Sequence, residues 1–387
     1  MPSSPFPAGQ AATPTAAAKL RILHTEWSDG WGGQERRIIG EMAGLTARGH
    51  HVVLATRPQC KIAGEAAKIG IPLLFLPMRN KADLRSIILL ARYLRREEIQ
   101  VVNTHSGVDS WIGAFAAKLA GTPVLVRTRH LNIPLKRNWL NFVHYLADQI
   151  ISCGETMKTR LVEICHFPPT QVTSIPTGID FTRFTPSHSR QQVRQALGLA
   201  PEDFVVLMAG IIRSVKRHAI ALQAFQHLLQ RHPAAQLLLA GEGPMLERTQ
   251  QLAAELHIAD KVHFLGHRED VPDLMAAADL LLLTSSSEGV PQAVTQALGL
   301  GVPVVATSVG GVPELIWHEE TGLLVPAENP QATADALLRI AEDPALAARL
   351  GAAGRAHALA NYSHTAMLDK TEALLNALLA AKAGAPA

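Results

Sequence analysis

The stretch that decides the fold is residues 280–316, LLLLTSSSEGVPQAVTQALGLGVPVVATSVGGVPELI. It begins with an apolar run, continues through a loop of serines, Glu288 and Gly289, and enters a helical pattern at Pro291. A second apolar run, VPVVAT, follows directly. Continuous apolar strands joined by a helix are typical of a parallel sheet that is covered on both faces. The stretch therefore predicts a strand-helix-strand unit of an α/β protein.

The same alternation of short apolar runs and helical patterns extends over nearly the whole chain, and a proline-rich connector at 175–190 divides it into two sets. The runs are RILHTEW, HVVLAT, PLLFLPM, VVNTHS, VLVRTRH and IISCG, then VVLMAG, QLLLAG, KVHFLG, LLLLTSS, VPVVAT and GLLVPA. A chain of 387 residues is also too long for one typical core. We predict two doubly wound parallel-sheet (Rossmann-like) domains facing a cleft, at 20–185 and 190–360, after a disordered tail at 1–19.

The composition excludes several classes of protein. It is 48% hydrophobic and 18% charged, which is typical of a soluble globular chain. Cys60, Cys153 and Cys165 fit no zinc, redox or disulfide pattern, and we expect reduced, buried thiols in a cytosolic protein. No run of about 18 apolar residues predicts a membrane span, and the amino terminus lacks the basic start of a signal peptide.

The loop after LLLL has the features of a ligand site, because ligands of such sheets lie beyond the carboxyl ends of the strands. Pro291 suits the first turn of a helix, whose free N–H groups attract an anion. Gly289 permits close approach, and Glu288 suits the hydroxyls of a sugar next to a phosphate. Gln296, about two turns further on, lies along the same face. A solvated loop with a capping serine is the alternative.

Other post-strand loops carry candidate residues of the same kind. Arg213 and Lys216 are suited to a diphosphate, although an isolated basic loop is usually solvated. Glu314, after Gly310-Gly311, is expected to be only a dipole partner in the first turn of its own helix. His105 and His130 end strands of one sheet, and we expect both at the cleft, although a lone histidine is usually structural. Close backbone approach is expected at Gly32, Gly33, Gly241 and Gly243, but no G-x-G-x-x-G fingerprint of a dinucleotide site occurs.

From about Leu20 to Leu379, the sequence resembles the retaining glycosyltransferases of family 4, which have the two-domain GT-B fold. The resemblance rests on WGGQERR, NTHSGVDSW, IPTGID, the loop from Arg213 to Lys216, GEGP, and EGVPQAVTQALGLGVPVVATSVGGVPE. Within that family it is most similar to bacterial enzymes of lipopolysaccharide and surface-polysaccharide synthesis. It implies an acceptor-binding first domain and a second domain that binds a nucleotide-sugar donor. It also implies that a helix at about 364–385 packs back on the first domain, although its amphipathic pattern fits a simple packing role equally well.

The resemblance implies the following site. The predicted catalytic residues are His105 and Glu288, with Glu288 on the hydroxyls of the donor sugar. The predicted donor-binding residues are Arg213, Lys216, Gly289, Val290, Gln296, Gly241 and Gly243, and those on the acceptor side of the cleft are Gly32, Gly33 and His130. No metal site is predicted, because neither an Asp-x-Asp motif nor a histidine cluster suggests one.

This chain departs from the family pattern at three positions. Gln296 replaces the second acid of the motif, and an amide oxygen still accepts a ribose hydroxyl. Ile211 stands where an arginine is usual, with Arg213 as its expected substitute. Arg217 replaces a glycine.

The predicted reaction moves a sugar from a nucleotide diphosphate donor to a glycan or lipid-linked acceptor with retention, without cofactor or metal and with no nucleic-acid partner. A nucleotide-sugar epimerase and a nucleotide-sugar-binding protein without catalysis remain alternatives. An NAD-dependent oxidoreductase is disfavoured by the missing fingerprint.

The distribution of charge suggests where the first domain sits. Residues 1–190 hold 23 Lys and Arg against 13 Asp and Glu, whereas residues 191–387 hold 13 against 20. We expect peripheral contact with an anionic membrane, on the cytoplasmic face of the inner membrane, with a solvated helix face as the alternative. Trp139 and Phe142 are expected to be exposed and to insert shallowly. The basic residues in question are Arg79, Lys81, Arg85, Arg92, Arg95 and Arg96, then Arg127, Arg129, Lys136 and Arg137.

Overall fold

Two parallel β-sheets organise the chain in a computed structural model that describes residues 19–130 and 139–384. The first sheet contains β1 (Arg21–Glu26), β2 (His51–Thr56), β3 (Leu73–Phe75), β4 (Val101–Thr104), β5 (Val124–Arg129), β6 (Gln149–Ser152) and β7 (Val172–Ser174). The second contains β8 (Val205–Ala209), β9 (Gln236–Ala240), β10 (Val262–Gly266), β11 (Leu280–Leu283), β12 (Val304–Thr307) and β13 (Leu323–Val325). The predicted tail at 1–19 lies outside the described residues except for Lys19.

Helices connect the strands and cover both faces of each sheet. They are α1 (Gly33–Ala47), α2 (Lys61–Lys68), α3 (Leu84–Arg96), α4 (Gly107–Ala120), α5 (Glu155–Glu163), α6 (Arg190–Ala196), α7 (His218–Leu229), α8 (Leu246–Glu255), α9 (Val271–Ala277), α10 (Gln292–Leu300), α11 (Val312–Leu315), α12 (Pro330–Glu342), α13 (Pro344–Tyr362) and α14 (His364–Ala383). No helix of the described part of the chain is both long and apolar enough to cross a bilayer.

The strand orders are those of doubly wound folds. The first sheet runs β3-β2-β1-β4-β5-β6-β7 and the second β10-β9-β8-β11-β12-β13. The order reverses between β1 and β4 and between β8 and β11, and ligands of such sheets bind in the crevice at that reversal. The prediction of two doubly wound parallel sheets is confirmed.

The apolar runs are continuous because both faces of each strand are buried. In β11, Leu280 and Leu282 join one core cluster while Leu281 and Leu283 join the cluster on the opposite face. Alternate side chains of a strand point to opposite faces, so neither face of β11 tolerates a polar residue. The first polar positions come where the strand ends, which places the polar side chains of the 284–291 loop at the crevice.

The last helix returns to the first domain. Buried Met367, Leu368 and Leu375 of α14 join the core cluster that also contains Ile38 and Met42 of α1. Arg48 pairs with Asp369 at 2.6 Å and with Glu372 at 2.8 Å at the edge of this contact. Helix α14 therefore ties the end of the chain to the first sheet.

Candidate active site between the two sheets

The amino termini of α1 and α10 face each other across the crevice. A Cβ atom at Gly33, the first residue of α1, would lie 3.8 Å from the Nε2 atom of Gln292, the first residue of α10. The free N–H groups and the partial positive charge of a helix amino terminus favour an anion. Two such ends, one from each domain, therefore converge on one region.

The 284–291 loop is held by an ion pair and by two glycines. The Glu288 carboxylate accepts hydrogen bonds from Lys216 Nζ at 2.7 Å and from Ser285 Oγ at 2.6 Å. Both side chains of the ion pair are largely buried, at 16% exposure for Lys216 and 12% for Glu288. A Cβ atom at Gly310 or Gly311 would collide with the carbonyl oxygen of Glu288 or Gly289. Residues at 310 and 311 must therefore lack a side chain if this loop is to keep its position.

The larger of two cavities at the crevice has a volume of about 750 Å³. Three predicted donor-binding residues, Arg213, Lys216 and Gln296, line it together. Arg36 of α1 joins them from the first domain. Cations at a helix amino terminus suit a diphosphate. The remaining lining is formed by Phe184, Ala209, Gly210, Ile211, His267, Arg268, Glu269, Val271, Pro291, Gln292 and Ala293.

The smaller cavity, of about 380 Å³, lies between the domains. Predicted site residues from both halves meet in its lining: Gly33 and His130 from the first domain, Gly289 and Val290 from the second. Gln292 lines both cavities, so the two spaces meet at the start of α10. The lining also includes Gln34, Cys153, Gly154, Thr156, Met157, Thr177 and Glu314.

Glu314 joins the two domains. Its carboxylate accepts hydrogen bonds from the backbone N–H groups of Glu155, at 2.6 Å, and Thr156, at 2.5 Å, in the first turn of α5. The Thr156 hydroxyl donates to the Gly310 carbonyl at 3.1 Å. The expectation that Glu314 serves only its own helix is wrong, because its charge satisfies orphan N–H groups of a helix in the other domain.

Three histidines form a hydrogen-bonded chain that leads to the smaller cavity. His24 Nδ1 lies 2.9 Å from His105 Nε2, and His105 Nδ1 lies 3.0 Å from His130 Nε2. His105 is only 4% exposed and does not line either cavity, whereas His130 lines the smaller one. His105 therefore stands one residue behind the cavity, and a catalytic role for it stays a prediction.

The thiol of Cys153 orients this chain. It donates to the carbonyl oxygen of Arg129 at 3.0 Å, so its sulfur is left to accept from Arg37 Nη1 at 3.4 Å and from His130 Nδ1 at 3.7 Å. His130 Nε2 then accepts from His105 Nδ1–H, and His105 Nε2 accepts from His24 Nδ1–H. Burial lowers the pKa of His24 to about 3 and holds the pKa values of His105 and His130 well below the usual range. The chain is therefore neutral at physiological pH.

Glu26, at the end of β1, is a site residue that sequence reasoning missed. Its carboxylate accepts from the N–H groups of Trp27 and Ser28, both at 2.7 Å, and from Gln34 Nε2 at 2.6 Å. Burial, followed by the charge of Asp109, raises the pKa of the Glu26 carboxyl to about 7. Glu26 thus positions Gln34 on the smaller cavity. The signal in the sequence was an acidic residue at the end of a buried strand.

The remaining predicted glycines lie beside the cavities. A Cβ atom at Gly241 or Gly243 would collide with the carbonyl oxygen of Gly210 or Ile212, so both glycines let the β9 loop pack against the Arg213 loop. Neither lines the larger cavity, and their role in donor binding stays a prediction. Gly32 precedes α1, where its N–H donates to the Glu35 carboxylate at 2.8 Å.

The cysteines and histidines differ in two respects from expectation. Cys60 and Cys165 are buried thiols, as expected, but Cys153 is only partly buried and lines the smaller cavity. The sequence also suggested no histidine cluster, yet three histidines meet. Their nitrogens bond one another, and within 19–130 and 139–384 no group of His, Cys, Asp and Glu is arranged to hold a metal ion.

Comparisons with known proteins agree with this architecture. Residues 31–183 match the model of Glycosyltransferase Family 4, and residues 189–357 match that of Glycosyl transferases group 1. A UDP-Gal:alpha-D-GlcNAc-diphosphoundecaprenol alpha-1,3-galactosyltransferase of Escherichia coli is 26% identical over 85% of this chain and 90% of its own. A D-inositol 3-phosphate glycosyltransferase of Actinosynnema mirum is 31% identical over 67% and 68%. The crystal structure of Anabaena Alr3699/HepE in complex with UDP superposes with a TM-score of 0.81, at 22% identity, over 92% of this chain and all of its own.

Two facing doubly wound domains, with cationic side chains and helix amino termini at their crevice, define a glycosyltransferase of the GT-B fold that uses a nucleotide sugar. The chain belongs to the family 4-like GT-B glycosyltransferases, with the Family 4 domain first and the group 1 domain second. The predicted fold and family are confirmed.

Proposed function

We propose that this protein transfers a sugar, with retention of anomeric configuration, from a nucleotide diphosphate held in the larger cavity to an acceptor hydroxyl in the smaller cavity. One observation carries the proposal: the ion pair of Lys216 and Glu288 stands where the cavities meet. Lys216 lines the larger cavity, whereas Gly289 and Val290, directly after Glu288, line the smaller one. The diphosphate would lie near Lys216 and the sugar near Glu288.

The proposed chemistry relies on charge that develops on the leaving diphosphate. Arg213, Lys216 and the amino terminus of α10 are already in place to stabilise that charge, and preorganised groups of this kind lower a barrier without moving during the reaction. We propose that no metal ion is needed. Both carboxylates nearest the reacting region are engaged, Glu288 with Lys216 and Glu314 with α5, which favours a mechanism without a carboxylate nucleophile.

For the acceptor, we propose a glycan or lipid-linked molecule of lipopolysaccharide or surface-polysaccharide synthesis. The name of the Escherichia coli relative describes a lipid-diphosphate acceptor. Other relatives are named for inositol phosphate and malate, so the acceptor must be tested directly. We place the protein in the cytoplasm, at the inner face of the membrane, because an acceptor of this kind is presented there.

The decisive test combines nucleotide sugars with acceptors and measures the release of nucleoside diphosphate, with and without EDTA. We expect release that depends on acceptor and survives EDTA, and NMR of the product should show the anomeric configuration of the donor. Interconversion of the donor sugar without acceptor would instead identify an epimerase. Binding without turnover over a full acceptor panel would identify a nucleotide-sugar-binding protein.

The exposed face of α3 supports membrane contact. Arg85 and Arg92 are exposed there beside Leu84, Ile88 and Leu89, which are 70%, 45% and 39% exposed. Exposed aliphatic side chains between arginines suit an anionic bilayer surface, where each cation contributes about 1 kcal/mol.

The second predicted basic group is wrong in part. Arg127 is 4% exposed and contacts His144, and burial lowers its pKa to about 9. Arg129 is partly buried as well. Strand β5 lies between β4 and β6, so its side chains point into the domain. Phe142 is 41% exposed, as predicted. Lys136, Arg137 and the side chain of Trp139 lie outside the described residues.

We predict that the protein sediments with anionic liposomes at low salt and is released at high salt, while neutral liposomes leave it in solution. Replacing both Arg85 and Arg92 by Glu should abolish sedimentation, because it reverses two charges on the α3 face. Replacing Arg248 and Arg339 of the second domain by Glu makes the same change of charge elsewhere and should have little effect. A wild-type protein that ignores anionic liposomes would rule out the membrane contact and favour a soluble acceptor.

A further inference from the structure

Arg36 is the first-domain residue in the lining of the larger cavity. It lies in the first turns of α1, between two charged neighbours with other functions. Glu35 turns back to accept from the Gly32 N–H, and buried Arg37 lies 3.9 Å from the carboxylate of Glu41. Arg36 itself is exposed, and within the described residues no carboxylate lies within ion-pair distance of it. Its guanidinium is therefore available to a ligand.

The second domain supplies little free positive charge to the same cavity. Lys216 is paired with Glu288, and Arg268 is paired with Asp270 through two contacts of 2.7 and 2.5 Å. Ile211, two residues after β8, is apolar and 57% exposed, so this position brings no cation. Among the cations that line the cavity from the second domain, Arg213 is the one without an ion-pair partner in the described part of the chain.

A diphosphate needs more than one cation. The diphosphate of a nucleotide sugar carries two negative charges, and its charge grows when the sugar leaves. A guanidinium forms short, charge-assisted hydrogen bonds to phosphate oxygens that strengthen as that charge develops. Besides Arg213, the cation in the cavity lining that has no ion-pair partner in the described part of the chain is Arg36, on the opposite domain.

We propose that Arg36 is a donor-binding residue that contacts the diphosphate from across the crevice and adds a second unpaired cation to Arg213. This inference rests on the proposed function and adds to it. Donor binding then bridges the domains, because one phosphate group is held by Arg213 on the second domain and Arg36 on the first. Glu314 already holds α5 of the first domain against the 310–314 segment, which keeps Arg36 close to the cavity.

The test is calorimetric titration with the uridine, guanosine and adenosine diphosphates and the matching monophosphates, using the pair that binds wild-type protein best. Arg36→Ala should weaken diphosphate binding about tenfold or more, as expected for a lost hydrogen bond between charged groups, and monophosphate binding less than about threefold. Arg248→Ala on α8, which removes an exposed arginine that lines neither cavity, is the matched control and should bind like wild type. Circular dichroism and thermal unfolding should show that each variant is folded.

A second variant makes the test specific for the missing charge. Adding Ile211→Arg to Arg36→Ala should restore diphosphate binding to within about threefold of wild type, because it returns one cation to the same cavity. Unchanged diphosphate binding in Arg36→Ala would overturn the inference while leaving the proposed function intact. Equal weakening of both nucleotides, without rescue by Ile211→Arg, would overturn it as well. A wild-type protein that binds no nucleoside diphosphate would overturn the proposed function and the inference together.

Discussion

Glu288→Gln should lower the rate of sugar transfer about 100-fold or more while leaving nucleoside diphosphate affinity within about threefold of wild type. The carboxylate accepts hydrogen bonds from Lys216 and Ser285. In the proposed complex with the nucleotide sugar, it would exchange these partners for hydroxyls of the sugar. In the proposed complex, contacts to the sugar are needed as its bond to phosphate breaks, whereas the diphosphate would be held by Arg213 and Arg36, which this change leaves in place. The amide keeps the shape but loses the charge. The rate of turnover should therefore fall, while the affinity for the nucleoside diphosphate should change little.

Glu328→Gln is the matched control for this change. Glu328 pairs with Arg217, which directly follows Lys216, so the variant also removes one charge beside the same loop. It should transfer sugar at nearly the wild-type rate. Initial rates under saturating donor, together with titration of the nucleoside diphosphate, separate the two effects. Wild-type turnover in Glu288→Gln would remove Glu288 from the reacting centre.

The architecture was predictable because its signal is local and repeated. Runs such as LLLL in β11 are buried on both faces, as is typical of a parallel sheet covered by helices. Site loops were predictable for a related reason: the carboxyl ends of parallel strands share one edge. That rule brings Arg213, Lys216 and Glu288 together without any knowledge of side-chain contacts.

Contacts across the crevice were beyond prediction, because they depend on how one domain meets the other. Glu314 reaches the backbone of Glu155 and Thr156 from a position 158 or more residues away. Nothing near Glu314 in the sequence indicates that partner. The place of Arg36 in the cavity was equally beyond prediction. Its neighbours Glu35 and Arg37 are also charged, yet neither lines the cavity.

Arg127 shows a different limit of prediction from sequence, because the burial of its side chain depends on strand order. Its place in VLVRTR, beside other basic residues, suggested a surface cation, yet β5 is an interior strand of the first sheet. Strand order was needed to see that its alternating side chains are enclosed. The histidine chain has the same origin, because it depends on the parallel register that sets His24 opposite Asn103 and brings the end of β4 beside His24.

The histidine chain should make the protein acid-sensitive. Unfolded histidines titrate near pH 6.5, whereas burial keeps the pKa values of His24, His105 and His130 far lower in the folded state. As the pH falls below 6.5, the unfolded chain binds protons that the folded chain does not, so the free energy of unfolding falls. Each histidine contributes about 1.4 kcal/mol per pH unit to that slope near pH 5.

Glu26 has the opposite effect on the pH dependence of the free energy of unfolding, and the histidines outweigh it. Its pKa is raised to about 7, so the folded state holds a proton that the unfolded state releases above about pH 4.5, and stability falls as the pH rises through that interval. Burial also raises the pKa of Glu41, but it lowers the pKa values of His144 and His218 to about 2 and about 4, so the buried histidines outnumber the two glutamates. The carboxylates of lowered pKa, such as Asp83 and Asp273, act at lower pH and leave the window between about pH 5 and 6.5 to the histidines.

His24→Asn should make the dependence on pH measurably shallower. The asparagine amide retains a donor near the position of Nδ1 and so preserves the bond to His105, while the buried Nε2 atom, which has no partner in the described part of the chain, is removed. Urea unfolding between about pH 5 and 7 should give a slope lower by about 1.4 kcal/mol per pH unit, which is one proton. His227→Asn on α7, outside the chain of histidines, should leave the slope at the wild-type value. If the slope of His24→Asn also equals that of wild type, His24 is protonated in the folded protein, and the neutral, hydrogen-bonded order deduced from Cys153 is wrong.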